Sequence, residues 1–297
     1  MLLKLLLLGG DTPVGHSLRA FIPPLQRHEL VLTPLEGTRW KRERQVKKML
    51  RAVAPDMIVD SRIISFWDGS ESVSTAELER TQWLARSAQR LGIRYFYLSS
   101  SQVFAGSLKR PYRESDTPDS QEPKGQLLLK AEQLVRDTVE DAFVLRLGWL
   151  FSGRGPSHFK LMLDQLRAGE VLKASDSRRD CPVHTAEVAR VVAGIIDQIS
   201  VGAPARGLYH YGSAGDTGYF AFCEALVAFA SQFDVFSHAT ELLAEESMPE
   251  GFAINRSLDC TAIRHQFGIQ RRPWRDFVER AVRRYIELYC KEVSHDR

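Results

Sequence analysis

The residues best placed to do chemistry come early. Gly9-Gly10-Asp11-Thr12-Pro13-Val14-Gly15 follows an apolar run and opens a helical stretch, with Gly9 and Gly15 at the outer positions of a G-x-x-G-x-x-G turn. Such a turn aims backbone N–H groups and the positive end of a helix at a pyrophosphate. Gly9, Thr12, Val14 and Gly15 are therefore candidate dinucleotide contacts. Thr12 stands where the middle glycine would be, and it adds a Cβ and a hydroxyl where backbone and ligand approach. Glu36 falls near the end of the second apolar run, where a carboxylate can take a ribose hydroxyl. Arg39, Lys41 and Arg42 follow at once and would suit a 2′-phosphate, though the same charges also suit a solvated helix start. NAD and NADP both stay open.

Other groupings carry less. His184, Asp180 and Cys181 lack metal-ligand spacing and read as a local turn, so no metal site is expected. Ser99-Ser100-Ser101 forms no G-x-S-x-G elbow, which leaves hydrolase chemistry unsupported. The four cysteines, Cys181, Cys223, Cys260 and Cys290, contain no C-x-x-C pair and read as free thiols that pack like small hydrophobes. Lys41 to Lys48 is basic, but Trp40 is its one aromatic neighbour; a solvated helix face fits better than nucleic-acid contact.

The elements that must position these residues alternate. Met1 to Leu8 reads as a buried parallel strand, continuous and apolar up to the glycines. A helix opens at Gly15 and ends near Ile22 before Pro23-Pro24. Strands follow at Leu30–Leu32, Asp56–Asp60, Arg94–Leu98 and Phe143–Arg146, with helices in the later part of Arg39–Arg51, from Ser74 to Leu91, and from Gln126 to Thr138. Strands and helices at this spacing form right-handed β-α-β units, which predicts an α/β, Rossmann-like, doubly wound parallel sheet. Beyond Trp149 the rhythm becomes irregular, with helical stretches near 158–168, 185–199 and 219–233 and an amphipathic one from Trp274 to about Lys291. Phe277, Val278, Ala281, Tyr285, Ile286 and Tyr289 give that last helix an apolar face, for its own lobe or for a dimer seam. The expected organisation is a nucleotide-binding domain over residues 1–150 and a smaller substrate lobe over 151–297, with some segments returning to the first.

With 297 residues and 44% of them hydrophobic, the chain can bury a sizeable core, which excludes a disordered protein. A net charge of +3 is too small to argue for nucleic acid or a membrane surface. No stretch approaches the roughly 20 apolar residues of a membrane span. The leading leucine run is short and meets Gly9-Gly10-Asp11 without a small-residue cleavage site, so a cytoplasmic location is expected.

From Leu98 onward the sequence resembles the dTDP-4-dehydrorhamnose reductases, within the extended short-chain dehydrogenase/reductases. Leu98 to Gly106 is similar to that family's I-S-T-D-Y-V-F-D-G, and Pro111 to Pro118 to its P-Y-x-E-x-D-x-P. Arg146, Trp149 and Gly153 fall near R-T-S-W-V-Y-G. Pro182 with Glu187-Val188-Ala189 resembles P-T-x-x-D-L-A, and Gly207-Leu208-Tyr209-His210 resembles G-I-Y-H, with Phe222 placed like a later phenylalanine. Asn255, Leu258-Asp259, Phe267-Gly268-Ile269 and Trp274-Arg275 echo the carboxyl-terminal motifs. Pro55-Asp56 and Asp68 match the two ends of P-D-V-V-I-N-A-A-A-Y-T-A-V-D. Together these cover nearly the whole chain.

The resemblance implies reduction of a keto-sugar nucleotide by hydride from a nicotinamide. In that family a tyrosine donates the proton, a lysine four residues later lowers its pKa, and a Ser or Thr hydroxyl polarises the carbonyl. A phenol with a pKa near 10 needs such a neighbouring cation to work at neutral pH. Ser100 keeps the hydroxyl, and the resemblance puts Gln102 and Trp149 on the substrate side. Aligned without gaps to Y-G-x-S-K-x-x-x-E-x-L, Lys124 takes the tyrosine position, Gly125 the glycine, Leu128 the lysine and Glu132 the glutamate. A rival register keeps Lys130 as the lysine, puts Gln126 at the tyrosine and loses Gly125 and Glu132. Neither register supplies a tyrosine. Tyr112 is the nearest one and matches a different family position; a buried Lys124 with a depressed pKa is another conceivable donor.

Asp60-Ser61-Arg62-Ile63 occupies the N-A-A-A positions, where Arg62 would crowd a dinucleotide or pair with its phosphates, and Glu77 replaces an asparagine. Thr12, Arg62, Glu77, Lys124 and Leu128 are thus altered together while scaffold motifs persist. Two readings follow. One is a reductase-like protein that binds NAD(P) and a nucleotide or sugar nucleotide with catalysis impaired, with a protein partner or a second copy as further ligands. The regulatory β subunit of methionine adenosyltransferase, similar to these reductases, sets a precedent for a binding role. The other is an active NAD(P)H-dependent reductase of a 4-keto-6-deoxy sugar nucleotide using a displaced acid.

Overall fold

The computed structural model describes residues 2–65, 75–236, 241–244 and 254–290. Asp68, the expected helix start at Ser74 and the expected helix end at Lys291 lie outside them. Five parallel strands, β1 (Leu3–Leu8), β2 (His28–Thr33), β3 (Met57–Asp60), β4 (Arg94–Ser100) and β5 (Ala142–Leu147), alternate with α1 (Pro13–Phe21), α2 (Glu43–Val53), α3 (Thr75–Leu91) and α4 (Pro123–Thr138). A sixth parallel strand, Gly207–Tyr211, pairs with β5 from Gly207 opposite Phe143 to Tyr211 opposite Leu147. The sheet runs in the order Gly207–Tyr211, β5, β4, β3, β1, β2. This is the expected doubly wound sheet, with its carboxyl edge open to a ligand.

β1 owes its place to its sequence. Every residue from Leu3 to Leu8 except Lys4 is buried, because β2 flanks it on one side and β3 on the other. The chain then has to turn sharply, and Gly9 does so at φ +83°. Pro13 starts α1 where a missing N–H is harmless. Gly15 is required by packing, since a Cβ there would lie 2.1 Å from the Gly9 carbonyl oxygen.

The second half is richer in short elements than its sequence suggested. It holds α5 (His158–Ala168), α6 (Thr185–Ser200), α7 (Tyr219–Ala230), α8 (Thr261–Phe267) and α9 (Val278–Tyr289), the last entered through a 3-10 turn at Trp274–Phe277. Two-to-three-residue strands, among them Arg178–Asp180 and Ile254–Asn255, tie these together. Buried apolar residues form two clusters. One surrounds the main sheet and takes in α6 and Leu258 to Ile269. The other joins Phe151, α5, α7 and Trp274 to Tyr285, so the apolar face of α9 packs against α5 and α7. No helix among the described residues is long and apolar enough to cross a membrane.

Candidate functional site

A cavity of about 1200 Å³ opens at the carboxyl edge of the sheet. Pro13 and Val14 reach it from α1, Ser100, Ser101 and Gln102 from the end of β4, and Lys124 from the first turn of α4. Trp149, the strand Arg178–Asp180 and Arg256 line it as well. Ser100 is nearly buried, and its hydroxyl accepts the Gln102 N–H at 3.3 Å.

The register of α4 decides what faces the ligand. Gly125 fits under the chain at Gln102, where a Cβ would meet the Gln102 carbonyl oxygen at 2.2 Å. Glu132 is held in the core by Arg146, whose Nη2 donates at 2.7 Å, and by the Ser99 hydroxyl. With those two residues fixed, Lys124 lines the cavity, Leu128 is fully buried in the core and Lys130 is exposed to water. In the gap-free register Lys124, at the tyrosine position, is the residue on the cavity wall. Lys130, the lysine of the rival register, sits off the buried face of α4 and does not line the cavity.

Tyrosine is scarce here. Tyr112 is buried away from the cavity, stacked on Phe104 at 4.0 Å, and its hydroxyl accepts the Gly106 N–H at 3.2 Å. Among the described residues, the tyrosine lining the cavity is Tyr219 of α7, whose hydroxyl donates to the Met162 sulfur at 3.4 Å.

The glycine-rich turn is partly closed on itself. The Thr12 hydroxyl donates to the Gly9 carbonyl at 2.8 Å and accepts the Gly15 N–H at 3.0 Å, capping α1 from within. Pro13 has no N–H, so of the first three residues of α1 Val14 alone keeps an amide available to an anion, and Val14 lines the cavity. That helix end, the Ser100 hydroxyl and the space between them fit the nicotinamide half of a dinucleotide. Glu36 and Arg39 are exposed beyond β2 and do not line the cavity.

Arg62 is fully buried and turned inward. Its Nε and Nη2 reach the two Asp60 carboxylate oxygens at 2.9 and 2.8 Å, Nη1 reaches Glu77 at 3.0 Å, and Nη2 also donates to Thr81 at 3.0 Å. The flanking carboxylates keep the guanidinium charged despite its burial, with its pKa raised. The altered pair Arg62 and Glu77 is thus one internal network, and neither residue is among those lining the cavity.

Asp180, which the sequence reads as part of a local turn, reaches the cavity wall. It lines the cavity, with Oδ1 accepting the Cys181 N–H at 2.7 Å and the Trp149 N–H at 3.3 Å, and Oδ2 accepting the Ser101 hydroxyl at 3.2 Å. Desolvation outweighs those donors and the nearby Arg256, pushing the carboxyl up to about 6. Its only sequence signal was an acid just before Cys181-Pro182. His184 caps α6, accepting the Ala186 N–H at 3.1 Å. No cluster of three or more His, Cys, Asp or Glu side chains able to hold a metal occurs among the described residues.

A doubly wound parallel sheet with a ligand cavity at its carboxyl edge places the molecule among the Rossmann-like α/β proteins. The chain belongs to the RmlD substrate binding domain family, which matches residues 3–287. A dTDP-4-dehydrorhamnose reductase of Burkholderia thailandensis is 26% identical over 301 residues, covering 95% of this chain and 98% of that one. The spore coat polysaccharide biosynthesis protein SpsK of Bacillus subtilis is 24% identical over 82% of this chain and 83% of its own. Among solved structures, a dTDP-4-dehydrorhamnose reductase from Clostridium acetobutylicum superposes with a TM-score of 0.78 at 18% identity, covering 94% of this chain and 98% of that one. One from Bacillus anthracis, solved in complex with NADP, gives 0.77 at 17% identity, covering 95% and 99%. At those identities the superpositions establish a shared fold, in agreement with the resemblance carried by the motifs.

Proposed function

We propose that this chain binds a nicotinamide dinucleotide and a sugar nucleotide in the 1200 Å³ cavity as a dTDP-4-dehydrorhamnose reductase-like protein, with reduction through a tyrosine–lysine pair lost. The observation that carries the reading is the setting of α4. The scaffold is kept in Gly125 and Glu132, while Lys124 faces the ligand and Leu128 is sealed in the core. A bound NAD(P)H would supply hydride; Val14 and Ser100 would flank its nicotinamide end.

The rest of the wall suits an anionic, partly apolar ligand. Lys124, Lys173, Arg178, Arg179 and Arg256 line the cavity against Glu122 and Asp180, favouring a diphosphate. Trp149, edge-on to Phe222 at 4.6 Å, offers a face to a sugar or base. The names of the relatives point to a dTDP-linked 4-keto-6-deoxy sugar as the substrate class, and NADP as the dinucleotide follows the Bacillus anthracis neighbour. The free, buried thiols Cys181, Cys223 and Cys260 suit a cytoplasmic location.

The experiment is a titration with NADPH and with NADH, followed by addition of dTDP-4-dehydrorhamnose while NADPH absorbance is monitored. Binding of a dinucleotide with slow or no oxidation supports the reading, and turnover at a rate typical of enzymes, about 10 per second, contradicts the loss of an efficient tyrosine–lysine route. Any reduction that remains has to draw its proton from another group.

A further inference from the structure

We infer that Asp180 is the proton donor of this cavity, a carboxyl that gives its Oδ2 proton to the ligand oxygen seated beside Ser100 and Ser101. The inference rests on the ligand reading above and names the residue that would complete it.

The geometry is that of a held acid. Oδ1 is occupied by two backbone N–H groups, from Cys181 and Trp149, which come from different segments and fix the plane of the carboxyl. Both contacts need an acceptor, so a proton on this group belongs on Oδ2. Oδ2 meets the Ser101 hydroxyl, which can turn to accept or donate as the carboxyl changes state. Ser101 follows Ser100 at the end of β4, and both serines and Asp180 line the same cavity.

The charges around Asp180 leave it poised. No cation forms an ion pair with it among the described residues. Arg256 acts on it as a positive charge, but its guanidinium is held by Glu122 at 2.5 Å and by the Phe104 carbonyl at 2.9 Å. On the neighbouring short strand, Thr217 pairs opposite Asp180 and brings no charge. The adjacent Cys181 thiol is pushed far up by burial and stays neutral. The resulting carboxyl, near 6, is the kind of group that general acid catalysis at neutral pH requires. Among the described residues no other acid lining the cavity is so placed, since Glu122 is tied to Arg256 at its half-exposed rim.

The step balances. As hydride from the nicotinamide reductant adds to the ligand's carbonyl carbon, the carbonyl π pair moves to oxygen and takes the Oδ2 proton. C–H and O–H bonds form, the reductant is oxidised by two electrons, and the Asp180 carboxylate regains its proton from water through the cavity mouth.

The test uses the whole chain, its Asp180→Asn variant and calorimetry at about pH 7, where Asp180 is mostly ionised. The ligand is dTDP-4-dehydrorhamnose with oxidised NADP, a mixture that allows no turnover. Repeating the titration in buffers of different ionisation enthalpy reads protons taken up on binding. The wild-type chain is expected to take up most of one proton per ligand, and Asp180→Asn none, with affinity changed by less than about tenfold. Equal uptake in both chains, or none in the wild type, overturns the inference and leaves the ligand reading intact. Absence of binding to the wild type overturns both.

With NADPH in place of oxidised NADP, Asp180→Asn should slow reduction at least about 100-fold. Wild-type kcat/KM should fall about tenfold per pH unit above its acid pKa, whereas Asp180→Glu should keep part of the rate and the same limb. An unchanged rate and profile in Asp180→Asn count against the inference. If Asp180→Asn does not fold, Ser101→Ala replaces it. Losing the donor to Oδ2 should move the acid limb to higher pH, and an unmoved limb contradicts the proposal.

Discussion

Glu132 on α4 and Arg146 on β5 meet as a buried forked pair, Nη2 to Oε2 at 2.7 Å and Nε to Oε1 at 3.0 Å, with side-chain exposures of 1% and 2%. This pair fixes the rotation of α4 about its axis. It thereby puts Lys124 on the cavity wall, Leu128 in the core and Lys130 in water.

Breaking that pair from one side leaves a charge buried and uncompensated. Glu132→Gln is expected to lower the unfolding free energy by about 3–5 kcal/mol, read from urea denaturation. Removing both charges together, as Glu132→Leu with Arg146→Met, should recover much of the loss, because the desolvation penalty disappears with the attraction.

Two glycines in helices should respond oppositely to alanine. At Gly125 the new Cβ would lie 2.2 Å from the Gln102 carbonyl oxygen and 2.3 Å from the Ser120 hydroxyl, so α4 must shift away from the chain at Gln102 and Ser120. A loss of several kcal/mol, roughly 3 or more, is expected by thermal or urea unfolding. At Gly194 of α6 nothing lies within 4 Å of the added carbon. There, alanine should stabilise the chain by up to about 1 kcal/mol through helix propensity alone.

Stability should fall on acidification, and its slope carries information about Asp180. Burial pushes His184 and His210 down to about 3. Both are neutral in the folded chain while the unfolded chain takes protons from about pH 6.5 downward, so each removes about 1.4 kcal/mol per pH unit between those values. Asp180 acts with the opposite sign. Its folded value near 6 lies above the unfolded one, so between about pH 6 and 4 it binds a proton more readily when folded and offsets one histidine. Urea unfolding of Asp180→Asn over this range should therefore show a steeper loss than wild type, by about 1.4 kcal/mol per unit.

Lys124→Met removes a cation from the cavity wall while keeping its length. Affinity for a dTDP-sugar should drop about tenfold, with a shallower dependence on salt, measured by calorimetry at two ionic strengths.

Much of the fold was legible because its signals are local. The apolar β1, the glycines after it and Pro13 report strand, turn and helix start within a few residues, and Gly125 with Glu132 mark the face of α4 that packs inward. What was hidden depends on partners far apart in the chain. Arg62 reads as a residue that would crowd a dinucleotide or pair with its phosphates until Glu77, fifteen residues on, is seen to close its network with Asp60. Asp180 gains its meaning from Trp149 and Ser101, 31 and 79 residues away. The strand Gly207–Tyr211 joins the first sheet only because β5 presents an edge to it, and no periodicity announces that pairing.

The measurement that bears most directly on the central claim is titration of the intact chain with NADPH, then with a dTDP-sugar, by calorimetry. The account predicts saturable one-to-one binding of each, with the sugar nucleotide weakened by Lys124→Met. Failure of both ligands to bind at millimolar concentration would contradict it.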